Sequence, residues 1–168
     1  MCSWSHVYAG AFDVYLLDTS NYQFVSVIPP CVPNYNTKCI GSVKDKPDDE
    51  SKLKLYLLNN VKVALKANNG LYLSCIAYSN NALDNLNHIQ PTKGNINSPS
   101  EFEIDYTPEG GPFENIGTIA LKADNGRYVA PSGGMTIKPL ATGPHQFLLM
   151  PARSTARRQF IPRHYRWW

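Results

Sequence analysis

The chain has 168 residues, of which 43% are hydrophobic and 17% are charged. These values fit one globular domain with a full core, and they exclude a large multidomain protein. They also exclude a wholly disordered chain, and no uninterrupted apolar stretch of about 20 residues suggests a membrane-spanning helix. Thirteen Pro and eleven Gly leave little room for long helices. The composition therefore predicts an all-β protein with many turns.

The charge is unevenly distributed along the chain, although the formal net charge is only +3. All 13 acidic residues lie at or before Asp124, so residues 1–124 sum to −4 and the remainder to +7. Five Arg alternate with aromatic residues in a tail at residues 151–168. This composition suits contact with a phosphate or another anionic surface. The alternative is a flexible end that has no function of its own.

The N-terminus predicts a cytoplasmic protein. Residues 1–6 lack the basic and apolar regions of a secretory signal, and no Asn-x-Ser/Thr glycosylation site occurs. The Cys residues form no CxxC motif and have no His at zinc-ligand spacing, so neither a metal nor a cofactor is expected. In a reducing compartment they stay thiols, whereas in an exported protein Cys31 and Cys39 are placed to close a loop.

A repeated segment organises the chain. Residues 63–74 (VALKANNGLYLS) return as residues 119–130 (IALKADNGRYVA), at an offset of 56 residues. A degraded copy occupies residues 14–26 and has one extra residue in its turn. Apolar and polar residues alternate before each turn, as in a strand with one buried face. Each copy therefore predicts a β-hairpin, and the Asn-Gly pairs predict two-residue turns with positive φ.

Further strands complete each copy. Short apolar closing strands are predicted at residues 53–57, 102–104 and 147–149, and weaker ones at 40–43, 83–89 and 135–140. Four strands in each of three copies make about twelve. Because no copy can bury its apolar face alone, the three copies must share one core. Residues 90–100 are interpreted as a mobile excursion outside these strands.

The repeat resembles that of fascin-like β-trefoils, a group that includes fascin and the hisactophilins, and similar repeats occur in amaranthin-type plant agglutinins. The resemblance rests on the motif [V/I]-A-L-K-A-[N/D]-N-G-x-Y-[L/V] and covers about residues 12–150. It implies one β-trefoil with pseudo-threefold symmetry at residues 7–150, followed by the basic aromatic tail at 151–168. The motif residues form strands and a turn, so the resemblance leaves ligand recognition to the variable loops.

Departures from these families bear on function. Hisactophilins are rich in histidine, whereas this chain has four, and fascin bundles actin with several trefoils in one chain. The Gln-x-Trp signature of ricin-type sugar-binding trefoils is absent. Amaranthin-type lectins bind sugar without that signature and usually work as dimers. The resemblance therefore implies a glycan-binding, lectin-like module that forms a homodimer. An actin-binding module and the targeting domain of a larger pore-forming protein are the alternatives.

The sequence offers no catalytic motif, since GxSxG, HExxH and GxxxxGK[ST] are all missing, and we predict a non-enzymatic protein. The acidic run Asp48-Asp49-Glu50 is interpreted as a solvated loop. A sugar site needs an aromatic platform ringed with amides or carboxylates. Two loops meet this requirement, unless their Asn and Tyr only populate surface turns. The candidate ligand-binding residues are Tyr78, Asn80, Asn81, Asp84 and His88 in the second copy, and Tyr35 and Asn36 in the first.

Overall fold

The computed structural model describes residues 11–32, 34–59, 61–78, 86–108, 117–133 and 135–152. Within these ranges the chain forms strands and two 3₁₀ turns, Asp49–Ser51 and Ser98–Ser100, and no α-helix. No helix there is long and apolar enough to cross a membrane. The predicted tail lies almost entirely outside the described residues. The strands are β1 (Ala11–Asp18), β2 (Gln23–Ile28), β3 (Cys39–Lys44), β4 (Leu53–Leu57), β5 (Lys62–Lys66), β6 (Tyr72–Tyr78), β7 (Leu86–Lys93), β8 (Phe102–Pro108), β9 (Gly117–Lys122), β10 (Tyr128–Pro131), β11 (Ile137–Ala141) and β12 (Phe147–Pro151).

Six of the strands close into a barrel. Each copy contributes its first and fourth strands, which pair as β1–β4, β5–β8 and β9–β12. Neighbouring copies join through β4–β5, β8–β9 and β12–β1, and every pairing is antiparallel. The other six strands form the hairpins β2–β3, β6–β7 and β10–β11, which contact one another through β3, β7 and β11. The protein is a β-trefoil, as the repeat predicts.

Equivalent positions of the three copies occupy equivalent places in the barrel. Each copy places one aliphatic residue of its first strand opposite the first residue of its closing strand, and all six side chains are buried in the core. The pairs are Val14 with Leu53, Val63 with Phe102, and Ile119 with Phe147. At β5 the predicted inward residues Val63 and Leu65 are buried, but Val61 before the strand is 48% exposed and the intervening Ala64 is buried as well, so the strict period-two alternation holds only in part.

The turns differ from the predicted two-residue form. Lys66 pairs with Tyr72, which leaves five residues between them, and only Gly70 of this loop has a positive φ, of 84°. Asn69 instead accepts a hydrogen bond from the Leu71 N–H through Oδ1 (3.0 Å). Its Nδ2 donates to the Pro91 carbonyl (3.3 Å), so the turn is attached to the neighbouring hairpin. The Asn of the motif is therefore a side-chain cap, and only the Gly supplies the left-handed backbone.

The acidic run and the segment at residues 90–100 are more ordered than the sequence suggested. Asp48 begins the first 3₁₀ turn: its carboxylate accepts from the N–H groups of Glu50 and Ser51 and from the Lys44 ammonium (2.9 Å). The Lys44 contact is the main reason that the pKa of Asp48 is lowered.

The expectation that residues 90–100 form a mobile excursion is wrong, because β7 continues to Lys93 and the second 3₁₀ turn follows it at Ser98–Ser100.

A buried carboxylate holds the junction between the first and last copies. Asp18 ends β1 opposite Phe147, the first residue of β12, and its side chain is fully buried. One oxygen accepts from Ser20 and lies 2.8 Å from His145 Nε2, and the other accepts from the Ser42 hydroxyl. Burial raises the pKa of Asp18, but the hydrogen bonds from Ser20, His145 and Ser42 outweigh it, so the pKa is lowered overall.

We expect Asp18→Asn to lower the free energy of unfolding at pH 7 by about 1–3 kcal/mol, because an amide nitrogen replaces an acceptor of several buried donors. A lowered pKa means that the ionised carboxylate stabilises the fold fully above its ordinary pKa of 3.8, and that this stabilisation is lost as the pH falls below that value. The difference between wild type and variant in urea unfolding should therefore shrink at pH 3.

Asp49→Asn is the matched control, since this carboxylate is exposed on the first 3₁₀ turn. The role of the ionised carboxylate would be contradicted if the wild type and Asp18→Asn differed in free energy of unfolding by the same amount at pH 7 and at pH 3.

Candidate functional site: the hairpin tips

The two loops predicted to bind a ligand occupy equivalent places in the trefoil. They are the tips of the hairpins β2–β3 and β6–β7, which span residues 29–38 and 79–85. The third tip, at residues 132–136, is shorter and is closed by a hydrogen bond from Ser132 N–H to the Thr136 carbonyl (2.9 Å). The threefold scaffold therefore carries two extended tips and one short one.

The first tip exposes its aromatic and amide side chains. Tyr35 is 37% exposed, and Asn36 beside it is exposed as well. The backbone turns back just before them, since Tyr35 N–H donates to the Val32 carbonyl (3.2 Å) and Asn34 has a φ of 69°. The structure thus places Tyr35 and Asn36 together at the surface.

A disulfide closes this first tip. Cys31 and Cys39 are bonded, with their Cα atoms 6.1 Å apart, so the expectation that both remain thiols is wrong for this pair. Cys39 is buried, and Gln90 of β7 donates to its sulfur through Nε2 (3.6 Å). The base of the first tip is therefore fixed both to itself and to the second copy.

The second tip is described only at its base. Tyr78 ends β6, and its backbone pairs with Leu86 of β7. Asn80, Asn81 and Asp84 lie outside the described residues. His88 is only 3% exposed, and burial together with the charge of Lys138 lowers its pKa, which favours the neutral ring. The strand therefore brings Tyr78 to the start of this tip, whereas the His88 ring is packed inside the hairpin.

Residues of the repeat motif itself form an aromatic and basic cluster that sequence reasoning missed. The Lys66 ammonium lies 5.0 Å from the ring centroid of Tyr72 and 5.8 Å from that of Tyr56. The rings of Tyr56 and Tyr72 meet edge to face at 5.5 Å. Lys66 and Tyr72 belong to the A-L-K and N-G-x-Y segments, which we interpreted as scaffold. The motif contains both Lys66 and Tyr72, but the sequence did not show that their side chains lie on the same outer face of the sheet.

The described residues contain no group of three or more His, Cys, Asp or Glu able to hold a metal ion. Cys75 is a free thiol, and burial, reinforced by the nearby Asp124 carboxylate, raises its pKa to about 12. It is therefore protonated at neutral pH and a poor nucleophile.

No protein-family model and no curated protein sequence matches the chain. Solved structures do. The SDF2-like protein of Arabidopsis thaliana is similar with a TM-score of 0.62 and 8% identity over 83% of this chain and 92% of that one. The designed threefold-symmetric protein ThreeFoil has a TM-score of 0.57 and 12% identity over 82% and 96%. At these identities the similarities show the fold.

Lysenin in complex with phosphocholine is also similar, with a TM-score of 0.59 and 11% identity. The match covers 90% of this chain but only 46% of lysenin. The chain thus corresponds to about half the length of lysenin, which has also been solved as a pore.

We expect replacement of both Cys31 and Cys39 by Ser to lower the free energy of unfolding by about 2–3 kcal/mol, since the bond restricts the unfolded chain across a separation of eight residues. Urea unfolding measures the change. Dithiothreitol should destabilise the wild type and leave the double variant unaffected. Equal stability of the wild type with and without dithiothreitol, once thiol titration shows that the bond is reduced, would contradict this role.

Proposed function

We propose that the protein is a non-enzymatic carbohydrate-binding module whose ligand contacts the tips of the first and second hairpins. The observation that supports this most is the exposed Tyr35 with its neighbouring Asn36 on a tip closed by a disulfide. The equivalent tip of the second copy begins directly after Tyr78, the last residue of β6.

The chemistry of these side chains suits a sugar. A pyranose presents C–H groups that pack on an aromatic ring and hydroxyls that exchange hydrogen bonds with amides. Tyr35 and Asn36 provide both kinds of contact side by side. Because the disulfide orders the tip before binding, less conformational entropy is lost when a ligand binds.

A second candidate function is recognition within a larger pore-forming protein. It is supported by the similarity to about half of lysenin, a protein solved both as a pore and with phosphocholine. Titration with phosphocholine by calorimetry tests the recognition part of this candidate. The alternative of actin binding through a basic surface invokes additional contacts from the basic tail, of which residues 153–168 lie outside the described part of the chain.

We expect a glycan array to reveal a ligand, and Tyr78→Ala and Tyr35→Ala each to weaken its binding about tenfold, because each removes one stacking platform. Isothermal titration with the best array ligand measures the affinities. Tyr22→Asn is the matched control: it removes a 53%-exposed ring from the β1–β2 turn and keeps a residue type that tolerates the positive φ of 57°.

The control variant should bind as the wild type does. The proposed site would be refuted if the wild type bound no glycan on a broad array. It would also be refuted if both Tyr→Ala variants bound the ligand as tightly as the wild type.

A further inference from the structure

A row of lysines crosses the outer face of the second copy and its junction with the first copy. Lys54 of β4 pairs with Lys66 of β5, Lys66 pairs with Tyr72 of β6, and Tyr72 pairs with Lys93 of β7. Directly paired residues project from the same face of a sheet, with Cβ atoms about 5 Å apart. The four side chains, here called the lysine row, therefore lie side by side across four strands.

The centre of the lysine row is rigid. Lys66 stands over the rings of Tyr72 and Tyr56, and Tyr72 is buried while Tyr56 is half-buried. Burial, with a smaller contribution from the Tyr56 hydroxyl, raises the pKa of Tyr72, so this phenol remains a neutral donor at physiological pH. The two rings, which meet edge to face, hold the Lys66 ammonium, and its N–H groups can donate to a further acceptor.

The other two copies show what this row would contain if it were only scaffold. At the junction of the second and third copies the equivalent positions pair Glu103 with Lys122, so opposite charges face each other. At the junction of the third and first copies they pair Leu148 with Leu17, which are both buried. Only the junction of the first and second copies places two cations directly opposite one another, an arrangement that destabilises a sheet.

Acidic partners do not neutralise the lysine row. Asp13 is 4.0 Å from the Lys54 ammonium, and both side chains are about half exposed, so the pair is weak. Within the described ranges, Lys66 and Lys93 make no ion pair. Lys62, next to the corresponding row of the third copy, pairs with Glu101 (3.5 Å). The second copy thus keeps an excess of positive charge that the third copy compensates.

We propose that the lysine row binds a sulfate or phosphate monoester carried by a glycan. Lys54, Lys66 and Lys93 supply the cationic donors, and the rings of Tyr56 and Tyr72 position the Lys66 ammonium among them. The proposal extends the carbohydrate-binding function to a second contact and gives the glycan class as anionic.

The geometry selects an oxyanion over a cationic headgroup. The faces of Tyr56 and Tyr72 that would receive a quaternary ammonium already carry the Lys66 ammonium. The lysine row is also distinct from the hairpin tip. Tyr72 and Tyr78 are six residues apart on one strand, which corresponds to about 20 Å. Substitutions at one place therefore leave the other intact.

The test uses the full chain and a matched probe pair, a heparin tetrasaccharide and its desulfated form, measured by isothermal titration. We expect Lys66→Gln and Lys54→Glu each to weaken binding of the sulfated probe at least tenfold, and desulfation to do the same. Lys54→Glu reproduces the charge pattern of the third copy. Lys122→Gln, which removes the cation over Tyr128 in that copy, is the matched control and should bind normally.

Urea unfolding verifies that each variant is folded. If Lys66→Gln and Lys54→Glu bind the sulfated probe as tightly as the wild type does, the proposed role of the lysine row is overturned. Binding that desulfation leaves unchanged also overturns it. Tyr78→Ala and Tyr35→Ala, tested on the same probes and on the array ligand, report on the tips separately. If the Tyr→Ala variants lose binding and the lysine variants bind as the wild type does, only this inference is refuted. If the lysine variants lose binding and the Tyr→Ala variants do not, only the tip site is refuted.

Vesicles of phosphatidylcholine with and without a phosphatidylinositol phosphate distinguish the two sources of a phosphate monoester. We expect the free sulfated saccharide to bind more tightly than the vesicles, because the lysine row lies on a sheet face formed by charged and half-buried side chains. Vesicle binding that depends on Lys66 while the saccharide fails to bind would overturn the assignment to a glycan.

Discussion

The pairing of β1 with β12 is the constraint on which the rest of the structure depends. It joins the first copy to the last, and without it the six-stranded barrel remains an open sheet with two exposed edges. The buried Asp18 lies at the end of this pairing and is tied by hydrogen bonds to Ser20, Ser42 and His145. Closure makes the three apolar faces meet in one core, so no copy is stable apart from the others.

Because this closure imposes threefold symmetry, residue positions that depart from the symmetry are informative about function. Positions that hold the scaffold repeat their chemistry in all three copies, as do the aliphatic residues at 14, 63 and 119. Exposed positions that differ between copies are released from that task, whereas the buried Asp18, which Ala67 and Ala123 replace in the other copies, still holds the scaffold. The first tip, with its exposed Tyr35, and the second, which begins after Tyr78, are both longer than the third. The lysine row differs from its apolar and charge-matched equivalents. Both proposed contacts are therefore located where the repeat is broken.

The disulfide and the buried carboxylate use the same physical strategy at different scales. Cys31–Cys39 restricts one tip covalently, and Asp18 orders a copy junction through hydrogen bonds that favour its ionised form. A binding surface supported in this way loses little further entropy on contact with a ligand.

The sequence by itself determined the three copies, about twelve strands and the trefoil, because strand periodicity and the need to bury apolar surface are local properties repeated along the chain. It also indicated that Tyr35, Asn36 and Tyr78 belong to tips. Only the tertiary structure decided that His88 is buried, that Cys31 meets Cys39, and that Lys54, Lys66 and Lys93 form one row. These relations depend on register between strands from distant parts of the chain, and the pattern of a single strand does not contain that register.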